Sequence, residues 1–206
     1  MSDRKSLTRL LAVAAFVALG AAGAPALAQG ELENTSQPFD HQAAGVTLPY
    51  QAGNFTRTAL HQFDSAAEDI AAVYRLQTAS GNGAILSLYV YPVRKASCRQ
   101  EFDSANAAIQ RADGYGNVQL VSAREAAPPQ ANAQGDAYYA RYTMSRLQSG
   151  ADWQDTTSDA YLFCPAGDRW LVKYRLSWNG AADDMPSVQP LFDAMGWSDA
   201  ALGIVD

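Results

Sequence analysis

The chain is short of the residues that most often carry chemistry, with two histidines and two cysteines in 206 residues. Structural zinc sites draw on closely spaced Cys and His, and Cys98 and Cys164 have no such neighbours. No Cys-x-x-Cys occurs, which removes the usual thiol–disulfide exchange motif. No Gly-x-Ser-x-Gly elbow is present, so His61 and nearby Asp64 have no nucleophile turn to serve. His61 therefore reads as a half-exposed strand residue and His41 as a solvated loop residue. Asp152, Asp155 and Asp159 lack the spacing and central glycine of a calcium-binding EF-hand loop. Asp183 and Asp184 sit where acidic side chains favour a helix N-terminus. No pair of carboxylates is singled out for glycoside hydrolysis. No catalytic, cofactor-binding or metal-ligating residue is assigned.

Basic residues are scarce as well, 15 Lys and Arg against 21 Asp and Glu, for a net charge of −6. Phosphate neutralisation needs clustered Lys and Arg, so nucleic acid is excluded as a partner, and an anionic membrane surface equally. The longest apolar run, Leu10 to about Ala22, is far shorter than the ~20 residues a transmembrane helix needs. Arg4, Lys5 and Arg9 precede that run, and Ala26-x-Ala28 follows it. This is the layout of a secretory signal cleaved after Ala28. No Cys follows the cleavage site and Arg4-Lys5 is not a twin-arginine pair, so a lipid anchor and the folded-export route are not expected. Removing residues 1–28 leaves 178 residues with 12 basic and 20 acidic side chains, a net charge of −8. The expected location is the periplasm or the medium, with no stable membrane insertion after cleavage. Two cysteines in an exported chain read most simply as one disulfide, Cys98–Cys164; two buried thiols or one reactive thiol are the alternatives.

Residues 29–45 are polar and aperiodic and read as a flexible lead-in, leaving 46–206 as a single domain. Phe55–Phe63, Ile70–Leu76 and Ala84–Tyr91 are strand-like, the last entered through the Ser80-Gly81-Asn82-Gly83 turn. Ser97 and Gln100 form a capping box, and Cys98, Phe102, Ala105 and Ile109 share one stripe of the helix that follows. Strands are expected at Val118–Ala123, Ala137–Met144, Thr156–Cys164 and Arg169–Trp178, with a proline-containing loop at 126–135. The last strand alternates most clearly. Trp170, Val172, Tyr174, Leu176 and Trp178 face inward, and Leu171, Lys173, Arg175 and Ser177 lie opposite. A short helix carries Val188, Leu191, Phe192 and Met195, with Pro190 in its first turn.

This order of three strands, helix, four strands and helix predicts an α+β fold: a mainly antiparallel sheet of about six to seven strands with helices packed on it. The element order, with an aromatic last hairpin and a short final helix, resembles the PsbP-like family, which includes the bacterial envelope protein DcrB. That resemblance implies an accessory or binding role rather than catalysis; with no cofactor motif in the sequence, no cofactor is expected. Tyrosines crowd the strands, and Tyr89, Tyr91, Tyr139 and Arg141 are the candidate ligand-binding residues, lining an open face suited to a sugar or peptide. The expected function is binding or assembly with an envelope protein. The alternatives are a carrier of a small amphiphilic or sugar-like ligand, and a hydrolase with an unrecognised site.

Overall fold

Trp170–Trp178, the segment with the clearest alternation, lies near the middle of a nine-stranded antiparallel sheet. The structure is a computed structural model and describes residues 30–77, 83–93, 96–112, 115–147, 153–167, 169–180 and 182–204. The signal segment, the Ser80-Gly81-Asn82 part of the expected turn, and Asp152 lie outside the described residues. In chain order the elements are β1 (Gly30–Leu32), β2 (Phe39–His41), β3 (Val46–Leu48), β4 (Gln51–Ala52), β5 (Phe55–Gln62), β6 (Ile70–Gln77) and β7 (Gly83–Pro92). Then follow α1 (Cys98–Gln110), β8 (Tyr115–Glu125), β9 (Gly135–Leu147), β10 (Trp153–Pro165), β11 (Trp170–Trp178), α2 (Gln189–Ala194) and β12 (Gly196–Trp197).

The main sheet runs β1-β5-β6-β7-β11-β10-β9-β8, with β4 paired to β5; a second sheet runs β12-β3-β2. The α+β class is as expected, but the sheet has nine strands where six to seven were expected. The additions, β1 and β4, are three and two residues long, too short to show a period of two. The polar stretch before Val46 also holds β2, which pairs with β3. His41 is not a solvated loop residue. It is buried, its Nδ1 accepts from the Ala44 N–H, and its Nε2 donates to the Glu68 carbonyl at 3.0 Å.

Each face of the main sheet has its own core. On one face, Leu60, Ile70, Leu86, Val172, Tyr174 and Leu176 pack under β3 and α2, through Val46, Leu48, Leu191 and Phe192. On the other, Tyr138, Tyr142, Leu162 and Leu171 pack against Phe102 and Ile109 of α1. Topology explains the position of α1. The chain leaves β7 mid-sheet and re-enters at β8 on the far edge, so the connecting helix must cross the intervening strands. The capping box forms as the sequence predicts, with Gln100 N–H donating to Ser97 Oγ and Ser97 N–H donating to Gln100 Oε1. Phe102 stacks on Tyr138 at 5.2 Å, and burying such a ring contributes about 2 kcal/mol. Cys98 is disulfide-bonded to Cys164 of β10, with Cα atoms 5.9 Å apart.

Candidate functional site

Strand register decides which of the candidate ligand-binding residues meet. Tyr89 pairs with Lys173, which pairs with Leu162, which pairs with Tyr138, so Tyr89 lies on the α1 face, and Tyr91 with it. Arg141 pairs with Asp159, which pairs with Leu176, placing Arg141 and Tyr139 on the α2 face. The four residues therefore do not line one surface. Alternation within a strand is legible in sequence, but the phase between β7 and β9 depends on the pairing of β11 and β10 between them.

On the α2 face, Arg141 is already engaged. Its Nε and Nη2 each donate to the Asp159 carboxylate at 2.8 Å, a bidentate pair across adjacent strands. That carboxylate holds the Arg141 guanidinium above its ordinary value. Burial, reinforced by Asp159, pushes the Tyr139 phenol up to about 12. The Arg124 guanidinium lies 4.9 Å from the centre of the Tyr139 ring. This cluster satisfies itself and fastens β8, β9 and β10 together.

The α1 face is differently furnished. Helix α1 packs on β9 and β10, and beside it β6, β7 and β11 present the half-buried side chains of Val73, Ile85, Ser87 and Ser177. Farther along the same face lies Lys173, its Nζ 4.7 Å from the Tyr89 ring centre and 5.1 Å from that of Tyr91. Burial pushes the Lys173 amine down from its usual value, with Glu101 and Asp69 acting the other way to a lesser degree. Burial pushes Tyr89 up to about 12 and raises Tyr91 as well. Two residues along, buried Arg175 donates from Nε to Ser158 Oγ at 2.9 Å and lies over the Tyr115 ring at 4.8 Å. The sequence places Lys173 and Arg175 opposite the inward aromatic row without marking them as a site. A cationic pair on a mid-sheet strand, bracketed by buried Leu171, is the signal that could have found them.

The third feature is an edge. Strand β8 ends the main sheet and, among the described residues, pairs only with β9. Two bulges each add one residue to β8, between Gly116 and Gln119 and between Leu120 and Ser122. In the first, Asn117 takes a left-handed φ of 51°, a conformation asparagine tolerates. In the second, Val121 is the extra residue, and it stands 58% exposed beside Leu120 at 46%. These two are the exposed large hydrophobic residues of the described chain.

Other sequence candidates stay apart. His61 is a half-buried residue of β5, paired with Ala71 and Glu31. Asp155 is exposed at one end of β10, and Asp183 and Asp184 are exposed in a 3-10 turn. Among the described residues no three His, Cys, Asp or Glu side chains cluster to hold a metal. Shallow clefts open on the surface formed by the described residues. One of about 390 Å³ lies along α1 by Asp103, Asn106 and Arg111, and one of about 530 Å³ lies by Asp40, Thr47, Trp197 and Ser198. No described helix is long and apolar enough to cross a membrane. The chain matches no protein-family model, no curated protein and no solved structure.

Proposed function

We propose that the chain is an exported protein of the bacterial envelope that acts by binding another envelope protein, with β8 receiving an extended segment of that partner. The observation that carries this reading is the adjacent exposure of Leu120 and Val121 on an edge strand of eleven residues. An edge strand offers a row of unpaired N–H and C=O groups, which an extended peptide can complete, and side-chain contacts then supply specificity. The bulge at Val121 turns a second apolar side chain outward beside Leu120. The bulges of β8 and the charged Arg124 and Glu125 are devices that guard an edge against unspecific pairing, and two adjacent exposed apolar groups are not among them.

Export is part of the proposal. The basic and apolar opening of the sequence supports it, and so does the disulfide, which persists in oxidising compartments. Kinship with PsbP-like and DcrB-like proteins is likewise proposed, on the order of the central elements. The polar clusters support binding over catalysis, because the guanidinium of Arg141 is already chelated and its cluster lies on the face away from Tyr89 and Lys173.

The test is co-purification from the native envelope with the tagged full chain and its Leu120→Asp/Val121→Asp variant. Both side chains are exposed, so the variant should keep the wild-type melting temperature. The expected result is loss of a partner that the wild type and a Ser104→Asp variant both retain. Retention of the same partners by the Leu120→Asp/Val121→Asp variant would overturn the proposal.

A further inference from the structure

The smaller sheet buries one face and leaves the other open. His41 of β2 and Val46 and Leu48 of β3 are buried beneath it, so by alternation Asp40 and Thr47 point the other way. Gly196 of β12 is level with Thr47, and one cross-strand row therefore runs Asp40, Thr47, Gly196. Beside that row lie Gln42, Gly45 and Ser198, with the Ser198 N–H donating to the Gly45 carbonyl at 2.8 Å. These six residues line the cleft of about 530 Å³. Trp197 borders it too, but its indole is tied inward, Nε1 donating to the Phe192 carbonyl at 3.0 Å.

Two glycines keep this cleft open. Gly45 has a left-handed φ of 64°, and a Cβ there would run into Ser198 Oγ. A Cβ on Gly196 would lie 2.9 Å from the Thr47 Cβ, closer than carbon atoms pack. Around the opening stand oxygen and amide groups. Asp40 Oδ1 accepts from the Thr47 hydroxyl at 3.2 Å, and among the described residues Oδ2 accepts no hydrogen bond. Ser198 Oγ accepts from the Ala201 N–H at 3.2 Å, which leaves its own hydroxyl proton to donate. Gln42 is exposed and adds an amide that can donate and accept.

We propose that this cleft is a carbohydrate-binding site, which takes a neutral mono- or disaccharide unit of a glycan by its neighbouring hydroxyl groups. A sugar hydroxyl both donates and accepts, and the cleft holds a complement for each role. The Asp40 carboxylate accepts from adjacent hydroxyls, Ser198 donates, and the Gln42 amide does either. Other ligand classes fit less well. An anion would meet the Asp40 carboxylate on a chain of net charge −6. A hard cation needs several oxygen ligands, and Asp40 is the one carboxylate among the lining residues. An apolar molecule would strip water from these polar groups without pairing them. The open shape suits a unit within a longer glycan, whose flanking rings stay in water. None of the lining residues belongs to β8, so the site stands independently of the reading given for that strand.

The backbone amides of Gly45 and Gly196 are natural reporters, because both lie in the lining. The folded, isotope-labelled chain is titrated in nuclear magnetic resonance with lactose, maltose, mannobiose and chitobiose, and with glucuronic acid as the anionic control. A neutral disaccharide should shift the Gly45 and Gly196 amide signals to saturation, and glucuronic acid should leave them in place. Asp40 is exposed, so Asp40→Ala should keep the wild-type melting temperature while weakening binding about tenfold or more. Gln42→Ala should weaken it by a smaller factor, and Leu120→Asp/Val121→Asp should bind as the wild type does. No saturable shift with any of the neutral sugars would overturn the proposal. So would equal shifts with glucuronic acid, or binding that both Asp40→Ala and Gln42→Ala leave unchanged.

Discussion

The Arg57 side chain is only 1% exposed and, among the described residues, forms no ion pair. Neutral oxygens receive it instead: Nε donates to Asn34 Oδ1, Nη1 to the Leu48 carbonyl, and Nη2 to the carbonyls of Thr35 and Gln37. Asn34 answers by donating to the Arg57 carbonyl at 3.2 Å. One guanidinium thus ties the stretch between β1 and β3 to β5, and a polar segment without hydrophobic period becomes ordered. The fork geometry matters, since an ammonium cannot reach four acceptors spread over two strands' length of backbone. Arg57→Met leaves those oxygens without a donor and should cost about 3 kcal/mol or more. Chemical denaturation would measure the loss, and limited proteolysis should find new cleavage within residues 30–48. Unchanged stability together with an uncut segment would contradict this role.

At the scale of elements, α1 is joined to the sheet in two ways. Its buried face supplies Phe102, Asn106 and Ile109, with Tyr142 donating to Asn106 Oδ1 at 2.6 Å, and its first residue is covalently bound to β10. The disulfide spans a sequence separation of 66, so by chain entropy alone it contributes about 4 kcal/mol, with measured cases often nearer 2. Cys98→Ala/Cys164→Ala should lower the free energy of unfolding by about 2–4 kcal/mol. A urea transition reads that change, and an unaltered midpoint would count against it. These two elements were legible in the sequence for physical reasons. The capping box is local chemistry within four residues, and Cys98, Phe102 and Ile109 repeat at helical spacing. Strand β11 was legible because its two faces differ in composition. β8 was legible only in part, as Val118–Ala123, because two bulges reset its phase and no period of two survives from Tyr115 to Glu125. β1 and β2 were not legible at all, since long-range bonds to Arg57 and backbone pairing order them. The candidate ligand face failed for a related reason. Each tyrosine's parity was right within its strand, but Tyr89 and Tyr139 are related only through the register of two other strands.

For the whole molecule, the arrangement of polar and apolar groups bears on what it does. Both sheet faces are built around apolar cores, the Arg141–Asp159 pair is closed on itself, and the clefts are shallow. Among the described residues, the edge strand β8 is where two large apolar side chains turn outward. The association proposed for this edge is by strand completion and packing more than by charge. Placing a photo-crosslinking amino acid at Val121, and separately at Ser104 on the exposed side of α1, tests this most directly in the intact envelope. The account expects one discrete crosslinked species from position 121 and none from position 104. Equal crosslinking from both positions, or none from position 121, would contradict it.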